Sequence, residues 1–272
     1  MQVIVTRLLA QAQRWVELLQ RQGHDGLALP LIEVCPLADT SKLLAARHSL
    51  ADYAAVMFVS SAAADGFFAA MPASDAPSVV AAMPRAWCTG PGTRAALLRH
   101  GMTPEQVDAP AHDAPQFDSE NLWQQVASQV QPGCRILIVR GDTVQDSQTP
   151  DREASQPSST GVGRDWLAQR LHHSGAAVDF VVAYQRRVPV WSERQHQQAL
   201  SAASNGAVWL FSSAEAVGNL KALLPTQDWS HARAIATHGR IATAAQRLGF
   251  PVVLTSRPSL PAVLASLESI HD

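Results

Sequence analysis

Short runs of apolar, β-favouring residues alternate along this chain with longer stretches of helical period. Residues 3–6 (VIVT), 56–59 (VMFV), 136–139 (ILIV), 179–182 (DFVV) and 208–211 (VWLF) are too short for helices and are bounded by turn residues. Between them, apolar side chains recur three and four positions apart, as in Trp15, Leu18 and Leu19, or Trp166, Leu167 and Leu171. Gly23, Gly101, Gly175 and Gly249 each fall just past such a stretch, where a left-handed cap is expected. Alternation of this kind predicts parallel sheets covered by helices on both faces.

The pattern is written twice. VMFVSSAAADGFFAA (56–70) is answered by VWLFSSAEAVGNLKALL (208–224), and in both a glycine follows five residues after the second serine. AWCTGPGTRAALLRHG (86–101) is answered by AIATHGRIATAAQRLG (234–249). VIVTR with RWVELLQRQG (14–23) is answered by ILIVRGD with RDWLAQRLHHSG (164–175). A repeat of this length is too long for a solenoid and predicts two domains of one ancestral type.

PLIEVCP (30–36) and YQRRVP (184–189) occupy matching places, each extended and closed by proline. Read as crossings between domains, they predict a hinge of two extended strands. The expected fold is α/β: two similar parallel-sheet, flavodoxin-like domains joined by a two-stranded linker, one of them discontinuous. Residues 1–33 and 189–272 form the discontinuous domain, 37–183 the other, and 30–36 with 184–189 the linker. Residues 142–163 are polar, rich in Ser, Gln, Asp and Pro, and without periodicity, so a disordered loop is expected there.

Composition narrows the function classes. The 272 residues are 47% hydrophobic and 16% charged, as in a soluble globular protein, and no apolar run is long enough to span a membrane. The N-terminus has no signal-peptide pattern, so a cytoplasmic location is expected. The net charge of −2 gives no basic field for nucleic acid. Cys35, Cys88 and Cys134 are scattered and odd in number, which fits reduced thiols and neither a disulfide frame nor a zinc site. Only Lys42 and Lys221 stand against 19 arginines, a bias that GC-rich coding explains in general without settling individual positions.

The candidate chemistry gathers at the strand ends, where doubly wound sheets hold ligands. Thr6-Arg7, Ser60-Ser61, Thr89-Gly90, Arg140-Gly141, Ser212-Ser213 and Thr237-His238 all fall at predicted strand ends. The serines read as helix N-caps, and the same turns offer free N–H groups and a partial positive charge to a carboxylate or phosphate. GPGTRA (90–95) fits a dinucleotide fingerprint nominally, but it comes late in its half and Pro91 removes a donor, so a tight packing turn is the simpler reading. No Walker loop, HExxH, GxSxG or metal cluster occurs, and His172-His173 is expected to face solvent. Three readings remain: an enzyme acting on a sizeable anionic small molecule, a two-domain anion-binding module, and a nucleotide-dependent α/β enzyme.

Motif order separates them. LIVRGD, the later GRDWLAQRLHHSGAAVDFVVAYQRRVP, PLIEVCP, FVSSAAA, FSSAEAV, GPGTRAALLRHG, SENL and SRPSLPAVL stand together in an order that resembles the uroporphyrinogen-III synthases, over nearly the whole chain. The resemblance implies an enzyme of heme and porphyrin biosynthesis, a lyase without metal or organic cofactor. Its substrate would be hydroxymethylbilane, a linear tetrapyrrole closed with inversion of ring D through azafulvene and spiro intermediates. The substrate's eight carboxylates suit helix-start N–H groups and arginines.

Tyr184 matches the family tyrosine of Y-x-R and is expected either to protonate the departing hydroxyl or to orient a water, with a packed linker tyrosine as the alternative. Arg7, Ser60, Ser61, Thr93, Arg140, Gly141, Arg186, Ser212 and Ser213 are expected to bind substrate. In the second copy THGRIATAA departs from the usual glycine-proline-threonine turn, leaving His238 and Arg240 to take those contacts or the contacts absent. The long segment after Asp142 leaves Arg164 unplaced. A monomer in transient contact with the deaminase that makes the substrate is expected, with no nucleic-acid or membrane partner.

Overall fold

A computed structural model describes residues 1–69, 76–111, 114, 116–143 and 162–270. The chain opens with β1 (Gln2–Val5), α1 (Leu9–Gln20), β2 (Asp25–Ala28), β3 (Glu33–Cys35) and α2 (Ser41–His48). It continues through β4 (Ala55–Phe58), α3 (Ser61–Ala69), α4 (Ala76–Ala82), β5 (Arg85–Cys88), α5 (Pro91–Arg99), β6 (Val107–Asp108) and α6 (Ser119–Val126). Next come β7 (Arg135–Thr143), α7 (Val162–His173), β8 (Ala177–Arg187) and α8 (Glu193–Ala202). The last third holds β9 (Val208–Phe211), α9 (Ala214–Leu223), β10 (Arg233–Ala236), α10 (Gly239–Leu248), β11 (Val252–Thr255) and α11 (Leu260–Ser269).

These elements form two units, one of residues 1–34 and 187–272, the other of residues 35–186. The first holds a sheet in the order β11-β10-β9-β1-β2 with every pair parallel. Taking its strands in chain order, this is the 2-1-3-4-5 arrangement of a doubly wound sheet. The second unit carries the order β8-β7-β4-β5-β6, again all parallel, with β3 added beside β8. The two orders superpose strand for strand, β1 on β7, β2 on β8, β9 on β4, β10 on β5 and β11 on β6. The duplication read in the sequence is therefore a duplication of topology, with the chain entering the second sheet at a different strand.

Central strands are buried on both faces, which explains their unbroken apolar runs: β4 and β9 are buried at every residue. In the first unit, one face carries Ala12 and Leu19 of α1 with Val263 of α11, and the other carries Ala216, Val217 and Leu220 of α9 with Trp209, Trp229 and Phe250. In the second, Ala63, Ala64 and Phe67 of α3 pack on one face, while Leu122 of α6 and Leu167 and Leu171 of α7 pack on the other. The helix ends follow the expected chemistry. Ser192 and Gln195 make a reciprocal capping box at α8, and Gly249 closes α10 with φ of 115°.

Two boundaries and one cap differ from the sequence reading. Tyr184, Gln185 and Arg186, expected in the linker, pair with Gly141, Asp142 and Thr143 of β7 and belong to the second unit. Asp142 and Thr143, expected in the loop, continue β7, and Val162 and Gly163 begin α7; the remaining residues of that expected loop, 144–161, lie outside the described residues. Ser213 is the N-cap of α9 by position, but its side chain makes no cap hydrogen bond.

Candidate active site

In each sheet two neighbouring strands send their helices to opposite faces, and in a doubly wound fold the crevice between the carboxyl ends of such a pair is the ligand site. In the second unit the strands are β4, followed by α3, and β7, followed by α7 on the other face. Ser60-Ser61 and Arg140-Gly141 flank this crevice. In the first unit β1 with α1 and β9 with α9 play the same parts, and Thr6-Arg7 and Ser212-Ser213 flank the crevice. Four of the six strand-end pairs picked out from sequence thus lie at the switch point of their own sheet, where a doubly wound fold takes ligands; Thr89-Gly90 and Thr237-His238 end the next strands out, β5 and β10.

Tyr184 is what distinguishes the second crevice. It sits on β8 opposite Gly141 of β7, just past an irregularity in the ladder between Arg140 and Gly141. Its ring lies across β7: a methyl group built on Gly141 would overlap the phenol ring, so only glycine fits there. The ring is buried, at 6% exposure, among the aliphatic and aromatic side chains beneath α3. Its hydroxyl reaches the end of β4 and lies 3.1 Å from Ser60 Oγ. Ser60 Oγ in turn accepts the backbone N–H of Ala63 at 3.1 Å, so it caps α3.

Gly66 makes this approach feasible. A Cβ on Gly66 would collide with the Ala183 carbonyl, so α3 rests directly on the backbone of β8, one residue before the tyrosine. Gly218 answers it in the sequence repeat and has open space around it, but α9 starts one residue later and puts Asn219 in the matching place, where its Nδ2 donates to the Leu31 carbonyl at 2.7 Å. Of the residues outside the sequence-derived site, Gly66 is the one that supports it most directly. Its signal was the glycine shared by both copies of the serine motif.

Arg140 directly precedes Gly141 in β7, and Arg186 lies two residues past Tyr184 on β8. Arg140 is half-buried and its guanidinium stacks 4.8 Å from the ring centre of Phe180, which is 47% exposed. Arg186 donates from Nη2 to Thr143 Oγ1 at 3.1 Å. Ser61 is half-buried in the first turn of α3. Thr93 is buried in α5, at 6% exposure, which places it in the packing of that helix. The Cys88 thiol, buried at the end of β5, is pushed up to about 12 by desolvation.

The first unit's crevice has a different character. Arg7 follows β1 in the place that Arg140 holds on β7, and its guanidinium lies 4.6 Å from the Trp15 ring centre. Arg7 Nε and Nη2 are buried with no hydrogen-bond partner among the described residues, and desolvation pulls the group below the usual arginine range. Thr6 Oγ1 donates to the Leu210 carbonyl at 2.8 Å and ties β1 to β9. Ser212 and Ser213 are half-buried at the start of α9. His238 is exposed and caps α10, its Nδ1 accepting the Arg240 backbone N–H at 3.1 Å. The Arg240 side chain is exposed in the same turn.

Elsewhere the chemistry is sparse. Gly90 and Gly92 of GPGTRA have open space and ordinary backbone, so neither is demanded by its surroundings. His172 and His173 are exposed on α7. Among the described residues no helix is long and apolar enough to cross a membrane, and no three His, Cys, Asp or Glu gather as a metal site requires. A cavity of about 310 Å³ lies at the amino ends of the first sheet, lined by Gln2, Arg194, Gln198 and Asn205. The strand-end chemistry lies at the opposite, carboxyl ends.

Fold and site together define a doubly wound α/β protein whose two sheets each present hydroxyls, helix-start amides and an arginine at the switch point. The sequence profile of the uroporphyrinogen-III synthase (HemD) family matches residues 13–265, and the chain belongs to that family, whose members are enzymes of porphyrin biosynthesis acting on a tetrapyrrole. Among solved structures, the chain is similar to uroporphyrinogen-III synthetase from Helicobacter pylori, with 16% identity, 99% of this chain and 100% of that chain covered, and a TM-score of 0.56. It is also similar to a mutant uroporphyrinogen III synthase from Thermus thermophilus, with 15% identity, 99% and 98% covered, and a TM-score of 0.53. At these identities the two likenesses speak for the fold.

Proposed function

We propose that this chain converts hydroxymethylbilane to uroporphyrinogen III, a lyase reaction that releases one water. The family match over residues 13–265 carries the reading. The Tyr184 seat supplies its chemistry. The C–O bond of the hydroxymethyl group breaks as the phenol gives its proton to the departing hydroxyl, leaving a cationic azafulvene. The substituted carbon of ring D attacks this cation, and the spiro product fragments and recloses with ring D inverted. The proton released as the last pyrrole regains aromaticity returns to the phenolate.

The linear substrate also closes by itself to the type I isomer, so the protein's main task is to fix geometry and to stabilise positive charge. Helix-start amides at Ser60, Ser61, Ser212 and Ser213, with Arg7, Arg140 and Arg186, suit the substrate's carboxylates. His238 and Arg240, at the start of α10, and Thr93 belong to the same proposed set, Thr93 through the turn it steadies. The chain works in the cytoplasm as a monomer that receives its unstable substrate from the deaminase by transient contact. Incubation with enzymatically generated hydroxymethylbilane, followed by separation of the oxidised isomers, is expected to give type III. Type I alone, at the rate of the uncatalysed closure, contradicts the proposal.

A further inference from the structure

The contact between Ser60 and Tyr184 has a direction that the surrounding groups set. A serine hydroxyl has one proton to give and two lone pairs to accept with. The Ala63 N–H takes one of the lone pairs, at 3.1 Å, and fixes the oxygen at the amino end of α3. That end carries partial positive charge, so the serine's own proton is driven away from the helix. In the direction away from the helix stands Tyr184 Oη, at 3.1 Å. The phenol cannot rotate away, because its ring is laid across Gly141 and buried beneath α3, whose approach Gly66 permits.

We propose that Ser60 is a positioning residue that donates its hydroxyl proton to Tyr184 Oη, with Gly141 providing the seat, so that the phenol's own proton stays free for substrate. This deepens the reading of Tyr184 as proton donor and rests on it. Ser60 was expected to touch substrate; here it acts through the tyrosine. When the phenol releases its proton, the charge left on Oη meets the serine O–H and, behind it, the amino end of α3. The first copy has no such device, since Arg7 answers Arg140 there, Leu8 follows it where Gly141 follows Arg140, and Ile32 takes the tyrosine's place.

Two measurements test the proposal, one of them independent of turnover. The chain has two tyrosines, so Tyr53→Phe leaves Tyr184 as the sole phenol. The tyrosine Fermi doublet in its Raman spectrum distinguishes a hydroxyl that accepts from one that donates. An accepting signature is expected in Tyr53→Phe, and its loss on adding Ser60→Ala; a donating signature, or one unmoved by Ser60→Ala, overturns the proposal.

In kinetics, Ser60→Ala is expected to lower kcat about three- to tenfold, the scale of one hydrogen bond, with KM little changed. Ser60→Thr is expected to restore the rate, and Ser60→Ala is expected to add nothing in a Tyr184→Phe background. A rise in KM at constant kcat, or full additivity in the double variant, overturns it. A protein that forms no type III isomer would instead contradict the proposed function, and the Raman result would still decide the Ser60 contact.

Discussion

Two residues fix the character of the crevice, one by what it lacks and one by where it is buried. Gly141 read as part of an arginine-glycine pair at a strand end, and its role as a binding residue was the natural expectation. The structure shows why the glycine is needed: any side chain there overlaps Tyr184. That requirement was invisible in the sequence because the two residues are 43 positions apart, brought side by side only by the β7–β8 register. Gly141→Ala is expected to displace the ring and lower type III turnover at least as far as Tyr184→Phe does, with the Tyr53→Phe Raman signature altered; normal turnover would show that the ring does not need its seat.

Cys88 makes a second, separate prediction at this scale. Its thiol is buried and titrates near 12, whereas Cys35 and Cys134 are half-buried. Alkylation of the native protein at neutral pH, read by mass spectrometry, is expected to label Cys35 and Cys134 and spare Cys88. The folded protein holds the Cys88 proton above the pH at which the unfolded chain releases it. The thiol's stabilising effect is therefore full below its ordinary value of 9 and is lost as pH rises toward about 12. Cys88→Ala is expected to flatten that alkaline loss in urea titrations.

Among the elements, the serine corners separate capping from availability. Both read as helix N-caps with a second use. In the second unit Ser60 does cap α3, through Ala63 N–H, whereas Ser213 makes no side-chain cap bond at α9. Ser192, which no functional argument touches, closes a full capping box at α8. Ser192→Ala is expected to cost about 1 kcal/mol of stability, and Ser213→Ala less than about 0.5 kcal/mol, both read from urea midpoints. Equal losses would mean that Ser213 is a structural cap after all. Gly66→Ala is expected to destabilise by about 1–3 kcal/mol, because the backbone of β8 cannot yield as a side chain would.

The strands that escaped the sequence reading were those at sheet edges. β2 shows an exposed-to-half-buried pattern and β6 is only two residues long, so neither carries the apolar run that marked β4 or β9.

For the whole molecule, the duplication was legible in full and its consequence only in part. Three paired segments predicted two like domains, and the parallel strand orders are the same when β9 is laid on β4. That the chain starts one domain, builds the other whole and then returns was legible in the two proline-closed crossings and the order of the paired segments. The strand order within each sheet was not, because sequence order alone does not say which strands pair. Residues 35–186 are one continuous stretch with cores on both faces of their sheet, while the first unit is assembled from two stretches. The isolated 35–186 segment is expected to show a cooperative urea transition by circular dichroism; a featureless transition would show that it depends on the rest of the chain.

The most direct test of the whole account is single-turnover formation of the type III isomer by the wild-type protein and by Tyr184→Phe, at matched urea midpoints. The phenol as proton donor predicts a wild-type burst of type III and at least a tenfold slower rate in the variant, at the low end of about 10²–10⁴ for lost acid catalysis when water partly substitutes. Equal rates from two equally folded proteins would contradict it.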